Sequence, residues 1–334
     1  MVRVVRFHEH GGPEVLRVEE AEPGKPGAGE VRIRVDALGL NRAEALFRAG
    51  TYGQPVRTFP AGLGYEAAGV VEALGEGVTG LAEGQRVSTI PAFRMNDYHV
   101  YGEAAIVPAH AVVDRPENVD AVTGSAVWMA YLTAFGGLVH TGGLRPAETV
   151  VLTAASSSVG LAAIQLARRL GARPVATTRT AAKREQLLAA GAAEVIVTDE
   201  EDVATGVLRV TEGRGADLVF DAVAGPGVSE VARATAHGGR IVLYGTLGGQ
   251  TIEAPALSFL RSGVRLSGYS ITAETTADAG KQREATAFVT AGLRDGTFRP
   301  VVDRVFEGLD SIREAHRHLE SNVQIGKIVV TVPR

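Results

Sequence analysis

The sequence predicts an α/β protein in which a doubly wound parallel sheet is joined to a second, β-rich body. Three observations carry this. The first third reads as short β-rich runs punctuated by glycine. The middle third alternates strand and helix patterns, which argues for right-handed βαβ units. Within it, a buried strand ends in a run of very small residues just as a helix begins. At 334 residues the chain has room for about two domains.

The β-rich body begins with runs at residues 2–7, 15–20 and 31–38. A loop by composition, residues 22–29, separates the last two. Asn41 precedes residues 42–48 as the cap of a short helix. Residues 67–73 and 84–90 continue the strand pattern. The parallel sheet is expected to use strands at 149–153, 174–178, 194–197, 217–221 and 240–244, with helices at 159–170 and 181–190. A helix at 309–320 and a strand at 327–332 close the chain.

Composition removes several function classes. Hydrophobic residues make up 45% and charged residues 22%, the range of a globular protein. Lys+Arg 34 against Asp+Glu 38 gives a net charge of -4, without the basic excess of a nucleic-acid footprint. No apolar run approaches the roughly 18 residues of a membrane span. Cysteine is absent, so disulfides, thiolate metal sites and a cysteine nucleophile are excluded. The first residues lack the apolar core of a signal peptide, and a cytoplasmic protein is expected. His8 and His10 would share a strand face, whereas His316 and His318 do not share a helix face. Both pairs are expected at the surface, not on a metal.

The run Ala154, Ala155, Ser156, Ser157, Ser158, Val159, Gly160 has the physics of a phosphate turn. Small residues let the backbone approach a pyrophosphate, and a helix start offers free amides and a positive dipole. A generic tight turn is the competing reading, because serines stand where glycines usually do. In such a fold, the end of the second strand reads the adenosine ribose: an acid there favours NAD, a base favours the 2′-phosphate of NADP. Thr178, Arg179, Thr180 and Lys183 follow that strand, and no acid occurs before Glu185. Cations at a helix start are disfavoured by the dipole unless an anion is expected. The alternative is an ordinary solvated basic helix start.

Residues 41–50, the run Gly62, Leu63, Gly64, Tyr65, Glu66, Ala67, Ala68, Gly69, Val70, Val71, and the serine-rich turn together resemble the medium-chain dehydrogenase/reductase superfamily. The branch they look most like is that of the zinc-independent quinone oxidoreductases, and the resemblance covers essentially the whole chain. It implies a GroES-like β-barrel catalytic domain from residues 1–124 and 270–334, around a Rossmann NADP-binding domain at 125–269. In the family's phosphate-turn pattern Ala154, Val159 and Gly160 match, while Ser157 replaces a glycine. The zinc-dependent relatives carry a Cys where this chain has Asn41, and a His where it has Tyr65. With both ligands lost, no catalytic zinc is expected.

Without a metal to polarise a carbonyl, hydride transfer suits a quinone or an activated alkene, whose oxygen then needs a hydrogen-bond donor. The resemblance implies that Tyr52 is that donor and that Asn41 orients substrate or nicotinamide; a loop aromatic and an ordinary helix cap are the plainer readings. It also implies that Thr133 and Lys327 lie at the cofactor and the region around Leu257, Ser258 and Phe259 near the nicotinamide, with core or surface as the plainer reading for Lys327 and that region; the sheet end at Tyr244 and Gly245 is expected at the cofactor edge. Trp128 and Tyr65 are expected to line the substrate, with a core role as the alternative for Trp128. The expected function is NADPH-dependent reduction of a quinone or enone by a homodimer. A trans-acting enoyl thioester reductase and a non-catalytic, crystallin-like NADPH-binding protein are the alternatives.

Overall fold

The structure, a computed structural model, describes residues 1–254 and 256–333, with the side chain of Ser258 outside what is described. The chain forms two compact units. One comprises Met1–Met129 and Pro300–Arg334, the other Ala130–Arg299.

The first unit is built on a seven-stranded sheet and a three-stranded sheet. Its longest strand, Glu30–Leu40, alternates half-buried and buried residues and then becomes buried on both faces over its last four positions. Those positions are covered by strand Glu66–Leu74 on one side and by strand Lys327–Thr331 on the other. The register pairs Gly39 with Glu66 and Leu40 with Ile328. Lys327, Glu66 and the residue after the strand, Asn41, are therefore brought together from three distant stretches of sequence. Gly39 is required for this. A Cβ there would lie 1.8 Å from the Ser125 carbonyl oxygen and 2.8 Å from Lys327 Cε.

The second unit holds six parallel strands in the order Glu194–Val197, Arg173–Thr178, Thr149–Leu152, Ala216–Asp221, Thr235–Leu243, Arg265–Gly268. The order reverses between the third and fourth strands, the switch point at which doubly wound sheets bind ligands beyond their strand ends. Val151, Val175, Ile196, Val219 and Ile241 fill the core on one sheet face, since strands covered on both faces must be apolar throughout.

Two expectations are corrected. Residues 270–299, expected in the β body, pack with the parallel sheet's unit. Helix Ala279–Arg294 sets Phe288 against Phe135 at 4.9 Å, Phe298 meets Tyr131 at 5.0 Å, and Asp295 pairs with Arg169. Aromatic burial outweighs proximity in sequence to the closing strand. His316, expected at the surface, is fully buried. Its Nδ1 lies 2.8 Å from the Arg48 guanidinium, and burial followed by the Arg48 and Arg42 cations pushes its pKa down to about 3. The helix Ile312–Ser321 turns His316 inward beside Ile312, Ala315 and Leu319, all buried. His8 and His10 follow a strand that ends at Phe7 and are both exposed.

Candidate active site

In the second unit, strand Thr149–Leu152 runs into a turn that leads to helix Ser158–Arg169. Ala154 adopts a positive φ of 47°, which a small side chain tolerates with least strain. The Ala155 amide donates to the Thr177 carbonyl, tying the turn to the second strand. Ser157 caps the helix, its Oγ accepting from the Gly160 amide at 3.1 Å. Gly160 has no room for a side chain: a Cβ would lie 2.5 Å from the Ala155 Cα and carbonyl oxygen. Ser156, Ser158 and Val159 are half-buried on this turn, so backbone and small hydroxyls remain approachable.

The second strand ends with Thr178 buried and with Arg179 and Thr180 exposed. Lys183 reaches back to the turn, its Nζ donating to Ser156 Oγ at 3.3 Å. The structure thus brings the lysine to the phosphate turn and leaves Arg179 facing solvent beside it in sequence. This arrangement fits a phosphorylated dinucleotide: a cradle that admits no Cβ, a capped helix start, and a basic pair next to them.

The next strand end is organised by Asp221. Its carboxylate accepts from Thr153 Oγ1 at 2.5 Å and from the amides of Val223 and Ala224. Tyr244 stacks on Phe220 at 3.9 Å, and burial drives its hydroxyl pKa up. Gly245 passes so close to Ala222 that a Cβ would lie 2.6 Å from its carbonyl oxygen. Thr133, nearly buried, sits on helix Trp128–Phe135.

The first unit supplies a different kind of site. Asn41 ends the long strand and starts helix Arg42–Ala49, in a capping box whose glutamate is Glu44. The Asn41 amide donates to Glu44 Oε2 at 2.7 Å, and Tyr65 N donates to Glu44 Oε1 at 3.2 Å. Glu44 is fully buried. Burial pushes its carboxyl up to about 7, with the Lys327 ammonium pulling the other way. Lys327, expected at the cofactor, is instead held inside this unit: its Nζ is 2.5 Å from Glu66 Oε2 and 2.5 Å from Asn41 Oδ1. Glu66 Oε1 also accepts from the amides of Trp128 and Met129.

Tyr52 lies on the loop after the helix, half-buried, edge-on to Phe47 at 6.3 Å. Its pKa is raised by burial, and the neighbouring Tyr65 hydroxyl works against that rise. The Tyr65 hydroxyl itself is buried and lacks a well-aligned partner. Trp128 and Tyr65, expected to line the substrate, are 1% and 0% exposed. Both rings are core residues, Trp128 because its helix start is buried against Glu66. Sequence reading missed Glu44, Glu66 and Asp221 as site residues. Only Glu44 left a local signal, three positions after the capping Asn41.

Comparison with known proteins identifies two family regions and several relatives. The family described as alcohol dehydrogenase GroES-like domain matches residues 27–127, and that described as zinc-binding dehydrogenase matches residues 158–285. A quinone oxidoreductase of Pseudomonas aeruginosa is 32% identical over 99% of this chain and 99% of its own. The human quinone oxidoreductase is 30% identical over 96% of this chain and 94% of its own. A solved structure of Escherichia coli quinone oxidoreductase complexed with NADPH superposes with a TM-score of 0.89 at 27% identity, covering 98% of this chain and 99% of that one.

Proposed function

The chain belongs to the medium-chain dehydrogenase/reductase superfamily, in its zinc-independent quinone oxidoreductase-like branch, and from that premise we propose that it is an NADPH-dependent reductase of quinones and enones. The observation that carries the cofactor choice is the basic pair at the second strand's end. Lys183 is bonded to the phosphate turn, Arg179 is exposed three residues on from Ala176, and no acid stands between Thr178 and Arg184. Such a pair receives a 2′-phosphate and gives the ribose hydroxyls of NADH nothing equivalent.

When bound, the cofactor supplies a hydride. The chain's own groups bind, orient and protonate. The turn at Ala155, Ser156, Ser157, Ser158, Val159 and Gly160 holds the pyrophosphate on backbone amides and the helix dipole. Thr178 and Thr180 flank the cations that hold the 2′-phosphate. Tyr52 stays protonated at neutral pH, since burial moves it above its ordinary value of 10.0. Its hydroxyl donates the proton that a reduced enone's oxygen requires. Asn41, with its amide fixed by neighbours on both sides, orients the reacting partner.

The test is an NADPH-oxidation assay with a quinone, an enone and an enoyl thioester, on wild type and Tyr52→Phe. Wild type should turn over the quinone and the enone with NADPH ahead of NADH. The phenylalanine variant should lose enone turnover by about 10²–10⁴-fold with NADPH affinity intact, the scale of general acid catalysis. Quinone reduction should suffer less, because a reduced quinone can take its proton from water. Preference for NADH, or turnover confined to the thioester, would overturn the reading.

A further inference from the structure

Lys327 is a cation enclosed by oxygens. It is 1% exposed, and its Nζ meets Glu66 Oε2 and Asn41 Oδ1 at 2.5 Å each. An ammonium carries donors only, so the Asn41 group facing it must be the amide oxygen. On the other side, Asn41 Nδ2 donates to Glu44 Oε1 at 3.2 Å and to the Gly39 carbonyl at 3.3 Å. An asparagine amide has two ends of nearly equal shape, and neighbours decide which way it points. Here a cation fixes the oxygen, while a carboxyl group and a carbonyl fix the nitrogen. Glu66 holds the cation in turn, and is itself anchored by the amides of Trp128 and Met129. Asn41 is 8% exposed, the highest value in a group whose other members, Glu44, Glu66 and Lys327, are at 1% or below.

We propose that Lys327 is a positioning residue that acts through Asn41, locking the orientation of its amide for the reaction assigned above. The proposal rests on the reading of Asn41 as an orienting group in that reaction. It differs from a purely structural role for the Lys327–Glu66 pair. In the structural case, removing both charges together would restore a working enzyme at a pH below 7, where Glu44 is protonated and no buried charge is left unpaired. In the positioning case it would restore folding but not turnover.

The experiment uses the full chain with Lys327→Met, Lys327→Met/Glu66→Gln, Asn41→Ala and the triple variant. The glutamine keeps an oxygen for the Trp128 and Met129 amides. Lys327→Met alone should lower the melting temperature, and adding Glu66→Gln should return most of it. The charge-free pair should still lose roughly ten- to a hundredfold in kcat, the scale of a misplaced reacting group, with the KM for NADPH little changed. Adding Asn41→Ala to it should cost nothing more, because both changes remove one function.

A second readout is independent of turnover. The Asn41 side-chain amide should give one sharp pair of NMR signals in wild type and broadened or doubled signals in the charge-free pair. Full activity in that pair, additive losses with Asn41→Ala, or an unaltered amide signal would each overturn the proposal. Should wild type reduce neither quinone nor enone, the functional reading fails separately, and the amide signal alone decides whether Lys327 locks Asn41.

Discussion

Two polar groups of this chain, one in each unit, are made of different material. The phosphate turn in the second unit is backbone: small side chains, a capped helix start, and two cations reached from solvent or half-buried beside it. The group in the first unit is side chain: Asn41, Glu44, Glu66 and Lys327, each 8% exposed or less, hydrogen-bonded into one network. Polar groups near water can wait for a ligand at little cost, whereas buried ones must be satisfied by each other. The turn is therefore built to receive a charge, and the buried network to hold its own charges still.

The comparison breaks most visibly through pH. Glu44 has a folded pKa of about 7 against an ordinary 4.5, so the folded state binds its proton more tightly than the unfolded state does. The stability it contributes is whole below about pH 4.5 and is lost as pH rises through about 7, amounting to about 3 kcal/mol. Urea unfolding at pH 5 and pH 8 should show wild type losing most of that, about 2.5 kcal/mol, relative to Glu44→Gln, whose side chain does not ionise. A constant difference between the two proteins would remove the buried charge from the account.

Arg179→Ala addresses the opposite half. It removes a charge-assisted contact to a bound phosphate and touches nothing buried, so unfolding free energy should stay the same. NADPH affinity should fall by roughly 1.5–3 kcal/mol, about ten- to a hundredfold, with NADH affinity unchanged. Titration of both nucleotides against both proteins checks this; an equal loss for NADH would mean that the arginine does not read the 2′-phosphate.

The smallest effect sharpens the contrast within the turn itself. Ser157→Ala deletes the bond to the Gly160 amide and should cost about 1 kcal/mol of stability, the usual worth of an N-cap. An amide freed at a helix start is one more donor for a bound pyrophosphate, so NADPH affinity should change by less than the stability does. Chemical denaturation with and without saturating NADPH measures both quantities on one protein.

Legibility in the sequence followed the same division. The strand Val2–Phe7 and the strand Glu194–Val197 lie where alternation and β-branched residues put them. Helix Ser158–Arg169 begins one residue before its expected start at the serine-rich turn. Asn41 was legible as a cap, and its structure bears that out through Glu44. The long-range partners were not. Lys327 reads as the first residue of a strand, and nothing in its neighbourhood says that it faces Asn41. His316 reads as one of two histidines on an amphipathic helix, and the Arg48 guanidinium supplies the bond to its buried Nδ1. The resemblance alone places the segment 270–299 with the β body; Phe288, packed on Phe135, and Phe298, on Tyr131, decide for the other unit.

The sequence by itself determined the local physics: which runs are strands and helices, where small residues let a backbone turn approach a phosphate, and which cations stand next to that turn. These depend on neighbours within a few positions, and a pattern of that range is written directly in the chain. Only the tertiary structure decided which charges are buried together. That depends on strand register between residues 286 positions apart, as for Lys327 and Asn41. One residue of slip would turn Lys327 to the opposite face of its sheet and leave Glu66 unpaired, so it is the packed register, and no local preference, that assembles the network.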